Sequence, residues 1–323
     1  DHKVEAAWIP CKDTALPGWF HVPPNYTGGK IPVIINVPGM DSYKEIQTWL
    51  YGDRFLNRGF AVLNIDGPGQ YEAPMLGIYF SMDNWVATGK AVCDWLAKRP
   101  EVDMSKVMLS GTSFGTFFGT LATAHEPRIS AAAVISVCHE PGCHTIFQEA
   151  SPTFKKRFMY MSGITDEAEF DKMRQGMTWE GHADKVKVPY LCVAGEFDEL
   201  SPIEHSERLV AAVKGPKRMV VYQESRHSVG NVPAANLGPA PTILVADWLV
   251  DRAAALRLGH GLEAGTDVGP LVNEAARTKV EEYVGIAAGE GRILTGGRRA
   301  SGAGLEHGHF FQPTILDGVR PMQ

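Results

Sequence analysis

Residues 109–119 read LSGTSFGTFFG, one serine held between two glycines after an apolar run. G-x-S-x-G puts a serine on a strained strand-to-helix turn, where small neighbours let its hydroxyl stand clear of the backbone. KVMLS (106–110) supplies the strand, Gly111 and Gly115 the clearance, and FGTFFGTLATAHE the helix, so Ser113 is the candidate nucleophile. A serine hydroxyl attacks poorly at neutral pH unless a histidine takes its proton and a carboxylate fixes that histidine's tautomer. On a strand-helix scaffold of this kind the acid precedes the histidine in the chain. Of 11 histidines, His227 in YQESRHSVGN follows the last strand candidate in a loop. The acid belongs just past the preceding strand, in LCVAGEFDELSP. Asp198 is favoured over Glu196 and Glu199 because it lies in the G-x-x-D-x-x-x-P turn ahead of a helix. His205 falls inside that helix and reads as a surface residue. A tetrahedral intermediate also needs two backbone N–H donors, one after the nucleophile and one from the loop after an early strand. Phe114 provides the first, and Met40, after Gly39 in NVPGMDSYKE, the second.

The elements that must position these residues follow a βαβ rhythm from residue 14 onward. Strand candidates are 18–22, 32–37, 60–65, 106–110, 131–136, 189–194 and 218–223. Most are continuous aliphatic runs, as strands covered on both faces require. Helix patterns occupy about 43–58, 81–98, 114–126, 202–214 and 240–256. The expectation is a mostly parallel, doubly wound sheet. The stretch from about 139 to 186 is far too long for a connecting loop and reads as an inserted helical cap. It is rich in Met and aromatics (Phe154, Phe158, Met159, Tyr160, Met161, Met173, Met177, Trp179), which suits a cap core or an adaptable pocket lining. After about residue 252 the composition turns toward Gly and Arg, marking a boundary between units 1–252 and 253–323.

Composition narrows the partners. The chain has 323 residues, 44% hydrophobic and 21% charged, with a formal net charge of −6 and only one run of three basic residues, KKR at 155–157. That excludes the field a nucleic-acid backbone needs. No apolar run approaches the roughly 18 residues that span a bilayer, and DHKVEAAWIP carries no signal-peptide pattern, so a cytoplasmic location is expected. Five cysteines fit reduced thiols rather than a disulfide framework. CHEPGCH (138–144) has neither zinc nor haem spacing, so no metal and no cofactor is expected.

NVPGMDSYKE, then FLNRGFAVLNIDGPGQYEAP, GTSFG, AGEFDELSP and ESRHS together resemble the α/β-hydrolases of the 2,6-dihydroxypseudooxynicotine hydrolase and fermentation-respiration-switch group, over residues 4 to 252. DGPGQ-x-E is the most specific part. The resemblance implies the α/β-hydrolase fold and a small carbonyl substrate, either an ester or a 1,3-diketone cleaved at a carbon–carbon bond. Its triad lands on Ser113, Asp198 and His227. It also implies a substrate-site role for Glu72, against a structural role bonding nearby backbone N–H groups. Tyr71 departs from the small glycine usual there and narrows the pocket. A non-catalytic binding or regulatory protein of the same shape is the alternative.

The tail differs. RLGHGLEAGTDVGPLVNEAARTKVEEYV, RILTGG and FFQPTIL resemble a piece of the aldehyde dehydrogenase catalytic domain. It holds no cysteine, so that chemistry is excluded, and packing or homo-oligomerisation is the role left to it.

Overall fold

A computed structural model describes residues 2–11, 14–49, 53–229, 239–253, 270–300, 305 and 308–317. Contacts divide the chain into two compact units, Asp1–Ala253 and Ala254–Gln323. In the first, β1 (Val4–Cys11), β2 (Thr14–His21), β3 (Ile31–Val37), β4 (Ala61–Ile65), β5 (Val102–Ser113), β6 (Ile129–Val137), β7 (Tyr190–Gly195) and β8 (Lys217–Tyr222) form one sheet. Its order is β1-β2-β4-β3-β5-β6-β7-β8. β1 and β2 join antiparallel, as do β2 and β4, and every pairing from β4 to β8 is parallel.

Alternation along the strands explains the two layers. In β3, β4 and β5 the residues Val33, Ile35, Leu63 and Leu109 face one core, while Ile34, Val62 and Met108 face another. Period-2 side chains that are apolar on both sides demand helices on both sides. The first core is covered by α3 (Met82–Leu96) and α4 (Phe114–His125), through Trp85, Val92, Leu96, Phe117 and Leu121. Between β3 and β4 the chain forms α1 (Lys44–Gln47) and α2 (Asp53–Leu56), where one helix was expected over 43–58; residues 50–52 lie outside those described. α2 and α8 (Pro241–Ala253) cover the second core through Phe55, Leu56, Val245 and Leu249. The last residues of the helix pattern expected to 256 are outside the described set.

β1 was not expected. Its residues alternate exposed and buried, Ala7, Ile9 and Cys11 facing the core, because it is an edge strand open to solvent on one face. Its interruption by Pro10 is tolerated at an edge and weakens the strand signal in the sequence.

The long connection from β6 to β7 carries α5 (Pro152–Ser162) and α6 (Glu167–Arg174), and α7 (Ile203–Ala212) follows β7. Phe158 of these cap helices is buried against Phe114 and Phe118 of α4, Phe147 before them against Phe114, and Phe170 against Phe147 and Phe158. Phe158 lies 4.8 Å from Phe114 between ring centroids, Phe147 lies 5.7 Å from Phe114, and Phe170 lies 5.3 Å from Phe147. Such offset and edge contacts stabilise beyond simple burial by about 0.5–1.5 kcal/mol each.

The second unit contains α9 (Glu274–Glu290) and an antiparallel pair, β9 (Arg292–Thr295) and β10 (Ile315–Asp317). Much of the aldehyde-dehydrogenase-like stretch RLGHGLEAGTDVGP, residues 257–269, lies outside the described residues. Among the described residues, no helix is long and apolar enough to cross a membrane.

Candidate active site

Ser113 ends β5 and precedes the first residue of α4, with φ 54° and ψ −125°. A non-glycine residue held there carries strain that only a rigid setting preserves. The setting is tight. A Cβ on Gly115 would come 2.1 Å from the Val37 carbonyl oxygen, and one on Gly39 would come 2.9 Å from the Ser113 Cβ. Only glycine lets β3, the loop after it and the turn approach so closely. Thr116 fastens the turn: its hydroxyl donates to the Ser113 carbonyl at 2.7 Å and accepts from the Cys138 amide at 3.0 Å.

The hydroxyl of Ser113 lies 2.9 Å from His227 Nε2. On the far side of the imidazole, Nδ1 is 3.0 Å from Asp198 Oδ2 and 3.1 Å from Oδ1. Asp198 is fully buried at its carboxylate, and Oδ1 also accepts from the amides of Leu200 and Ser201. The competing acids hold backbone instead. Glu199 accepts from the His227 amide at 3.0 Å, and Glu196 accepts from the Glu224 amide at 2.9 Å, so both tie the loop after β8 to the loop after β7.

Ser113 and His227 open into a cavity of about 210 Å³, whose walls include Gly39, Met40, Ser42 and Gln47. Met40, Asp41 and Ser42 also border an adjoining cavity of about 490 Å³ beneath the cap, lined further by Tyr43, Tyr71 and Tyr160. Tyr43 and Tyr71 stack at 4.6 Å, and Arg157 of the cap helix pairs with Asp41. Phe114, at the start of α4, is one of the first-turn residues whose N–H groups lack an intrahelical acceptor.

Glu72 is placed differently from its neighbour. Its carboxylate accepts from Lys44 Nζ at 2.5 Å, not from backbone amides, and it is not among the residues lining the Ser113 cavity. Lys44 also meets Asp66 at 2.9 Å and Glu45 at 2.9 Å. Burial works against the ammonium, but the hydrogen bonds it donates to Glu72, Asp66 and Glu45 outweigh it and hold the pKa above that of an ordinary lysine. Burial pushes Asp66 up to about 6, partly offset by Lys44.

CHEPGCH divides. Cys138 Sγ lies 3.7 Å from Ser113 Oγ, Cys143 Sγ donates to the Glu140 carbonyl, and His144 is 3.4 Å from Glu149. Burial, and after it the nearby Asp198 charge, raise the Cys138 thiol well above the ordinary value.

His139 is fully buried; its amide donates to Ser201 Oγ, its Nδ1 lies 2.9 Å from Ser206 Oγ, and its carbonyl accepts from Trp179 of the cap connection. His205, expected at the surface, is half-buried with its Nδ1 shut away from solvent, because α7 packs that face toward His139. Burial, then His205, pushes His139 down to about 3. A group with a depressed folded pKa stabilises fully above its unfolded value near 6.5 and loses that contribution as pH falls. Between pH 7 and 5 the loss from His139 is about 2 kcal/mol. Urea unfolding of His139→Asn, which keeps a polar group toward Ser206, should show a shallower acid decline than the natural chain; equal slopes would refute this assignment.

Comparison with known proteins places the chain. It is 34% identical over 137 residues to hydrolase ffsE of Aspergillus flavipes, covering 38% of this chain and 30% of that protein. The chain spans about a third of the length of the curated hydrolases it matches. Its tail is 46% identical over 69 residues to betaine aldehyde dehydrogenase of Bacillus subtilis, 21% of this chain and 14% of that protein, and residues 244–323 match the aldehyde dehydrogenase family model. In fold it is similar to 2,6-dihydroxy-pseudo-oxynicotine hydrolase, with TM-score 0.67 and 23% identity, covering 83% of this chain and 70% of that one. The prolyl oligopeptidase family model matches residues 54–238, more than half of the chain. With its mostly parallel eight-stranded sheet, the chain has the α/β-hydrolase fold and belongs to the prolyl oligopeptidase family.

Proposed function

We propose that the chain is a serine hydrolase that cleaves an ester, or the carbon–carbon bond of a 1,3-diketone, through an acyl-enzyme. The observation that carries this reading is the unbroken hydrogen-bond path from Ser113 through His227 to a buried Asp198. Ser113 Oγ attacks the carbonyl carbon as His227 Nε2 takes its proton, and Asp198 holds the imidazole by Nδ1–H and stabilises its charge. The N–H groups of Met40 and Phe114 receive the oxyanion, a contribution typically worth a factor of about 10²–10³ per donor. His227 then returns the proton to the leaving group, an alcohol for an ester or an enolate carbon for a diketone. Water attacks the acyl-enzyme by the same route and releases a carboxylic acid.

Tyr71 lines the cavity beside this site and belongs to the substrate surface. Glu72 acts on that wall indirectly, by holding Lys44, whose ammonium lies 5.8 Å from the centroid of the Tyr71 ring. Buried thiols such as Cys93, Cys138, Cys143 and Cys192 suit a reducing, cytoplasmic setting. Residues 253–323, which hold no cysteine, are a non-catalytic appendage to the hydrolase unit 1–252, with 139–186 as its cap. Intact mass after reaction with a small fluorophosphonate tests the reading. A single adduct, mapped to the peptide carrying Ser113, is expected; an unmodified protein would favour a binding protein of hydrolase shape.

A further inference from the structure

A buried file of polar side chains runs from the Ser113 cavity into the body of the sheet. Gln47 Nε2 lies 2.5 Å from Ser42 Oγ, and its Oε1 accepts from Asn36 Nδ2 at 3.3 Å. Asn36 Nδ2 also donates to Asn64 Oδ1 at 2.8 Å, and Asn64 Nδ2 donates to Thr48 Oγ1 at 2.6 Å. Thr48 meets His21 Nε2 at 3.0 Å, and His21 Nδ1 meets His2 Nε2 at 2.8 Å. Asn36, Gln47 and Asn64 are wholly buried, so every proton in the file must be accounted for within it.

The file has two self-consistent directions, and they differ at Ser42. In one, Thr48 accepts from Asn64 and donates its single proton to His21 Nε2. Each amide then points its nitrogen toward the next acceptor, and Gln47 Nε2 donates to Ser42. In the other, every amide is turned and Ser42 donates to Gln47. Asn36 decides between them. In the first direction its only unpartnered atom is the carbonyl oxygen. Turning the file would leave its NH₂ facing no acceptor, with both protons stranded. Buried orphan N–H groups are rarer and costlier than under-used carbonyls, so the first direction wins. Neutral His21, whose pKa is pushed down to about 4 by burial and then by His2, accepts from Thr48 at Nε2 and passes its Nδ1–H on to His2 Nε2, as this direction needs.

Ser42 therefore accepts a hydrogen bond from Gln47 and keeps its own proton free to donate. Among the described residues, no hydrogen bond donated by Ser42 Oγ is found. The residue lines both the Ser113 cavity and the larger one beneath the cap, so its hydroxyl is within the space open to a molecule held at Ser113.

We infer that Ser42 is a further hydrogen-bond donor of the site, offering its Oγ–H to a second oxygen of the substrate next to the scissile carbonyl, which selects β-dicarbonyl compounds over simple esters. The inference rests on the serine hydrolase reading. In a 1,3-diketone, Ser113 Oγ bonds to one carbonyl carbon while His227 takes the proton. Collapse of the tetrahedral adduct breaks the carbon–carbon bond, and the electron pair becomes an enolate whose oxygen faces Ser42. His227 protonates the enolate carbon to give a methyl ketone, and water releases the acid from Ser113.

The test compares benzoylacetone, followed by loss of its enol absorbance, with phenyl butyrate, an ester of similar size, using the full chain. Ser42→Ala should lower turnover of the diketone by about 10²-fold, as losing an oxyanion donor does. Its effect on the ester should be at least tenfold smaller. Ser42→Thr, which keeps the hydroxyl, should restore most of the diketone rate. Equal losses on both substrates, or an unmodified chain that cleaves the ester and leaves the diketone intact, would overturn the inference while sparing the hydrolase reading. Failure of Ser113 to label with fluorophosphonate would overturn both.

Discussion

Replacing Ser113 with alanine should lower ester turnover by about 10⁴- to 10⁶-fold, since the proposed mechanism then loses the group that forms the covalent bond and keeps only oxyanion donors and binding to assist water. The loss should come without unfolding. Alanine at φ 54° meets the same left-handed strain as serine, so the backbone cost already present in the turn does not change. What disappears is one hydroxyl and its 2.9 Å contact with His227, in a half-buried position. The melting temperature should therefore stay within a few degrees while activity vanishes. An alanine variant that kept more than about a hundredth of the natural rate would show that bond cleavage does not pass through this serine.

Asp198→Asn should cost about 10⁴-fold in kcat, and the reason is the direction in which the new amide must point. Asp198 Oδ1 accepts from two backbone amides, Leu200 at 2.9 Å and Ser201 at 3.1 Å. An asparagine keeps its oxygen on those donors, which leaves its NH₂ in the position of Oδ2, 3.0 Å from His227 Nδ1. The amide then donates to Nδ1 and forces the imidazole proton onto Nε2, where it faces Ser113 and can no longer accept. Geometry survives and the base is lost. Fluorophosphonate labelling should slow in parallel with turnover, because both need the same proton accepted. A kcat within tenfold of the natural chain would mean that the carboxylate only supports the loop.

Much of this was legible in the residues. β3, β4, β6 and β7 stand out as apolar runs because the sheet is covered on both faces, and the order of G-x-S-x-G, Asp198 and His227 along the chain matches the loops that the fold brings together. The G-x-x-D-x-x-x-P turn already favours Asp198 over Glu196 and Glu199. All three lie in one turn, and the direction of each side chain assigns one to the imidazole and two to backbone amides. Glu72 was weighed against a bond to backbone N–H groups and in fact meets Lys44, a partner 28 positions away. Ser42 and Gln47 were overlooked, although a signal existed. Asn36 and Asn64 each interrupt an otherwise apolar strand run, and they fall opposite one another in the parallel register of β3 and β4. Two amides buried side by side in a hydrophobic sheet announce a polar file, but its far end at Ser42 emerges only when the chain is folded.

Phe114 serves two masters. Its backbone sits next to the nucleophile, while its ring is gripped by Phe147 and Phe158 from the cap connection. A foreign cap transplanted onto this sheet must therefore reproduce that aromatic grip. Otherwise the graft should disturb the amide beside Ser113, the proposed oxyanion donor, and slow every substrate alike, so that on this proposal the lid is not exchangeable as an independent selectivity module.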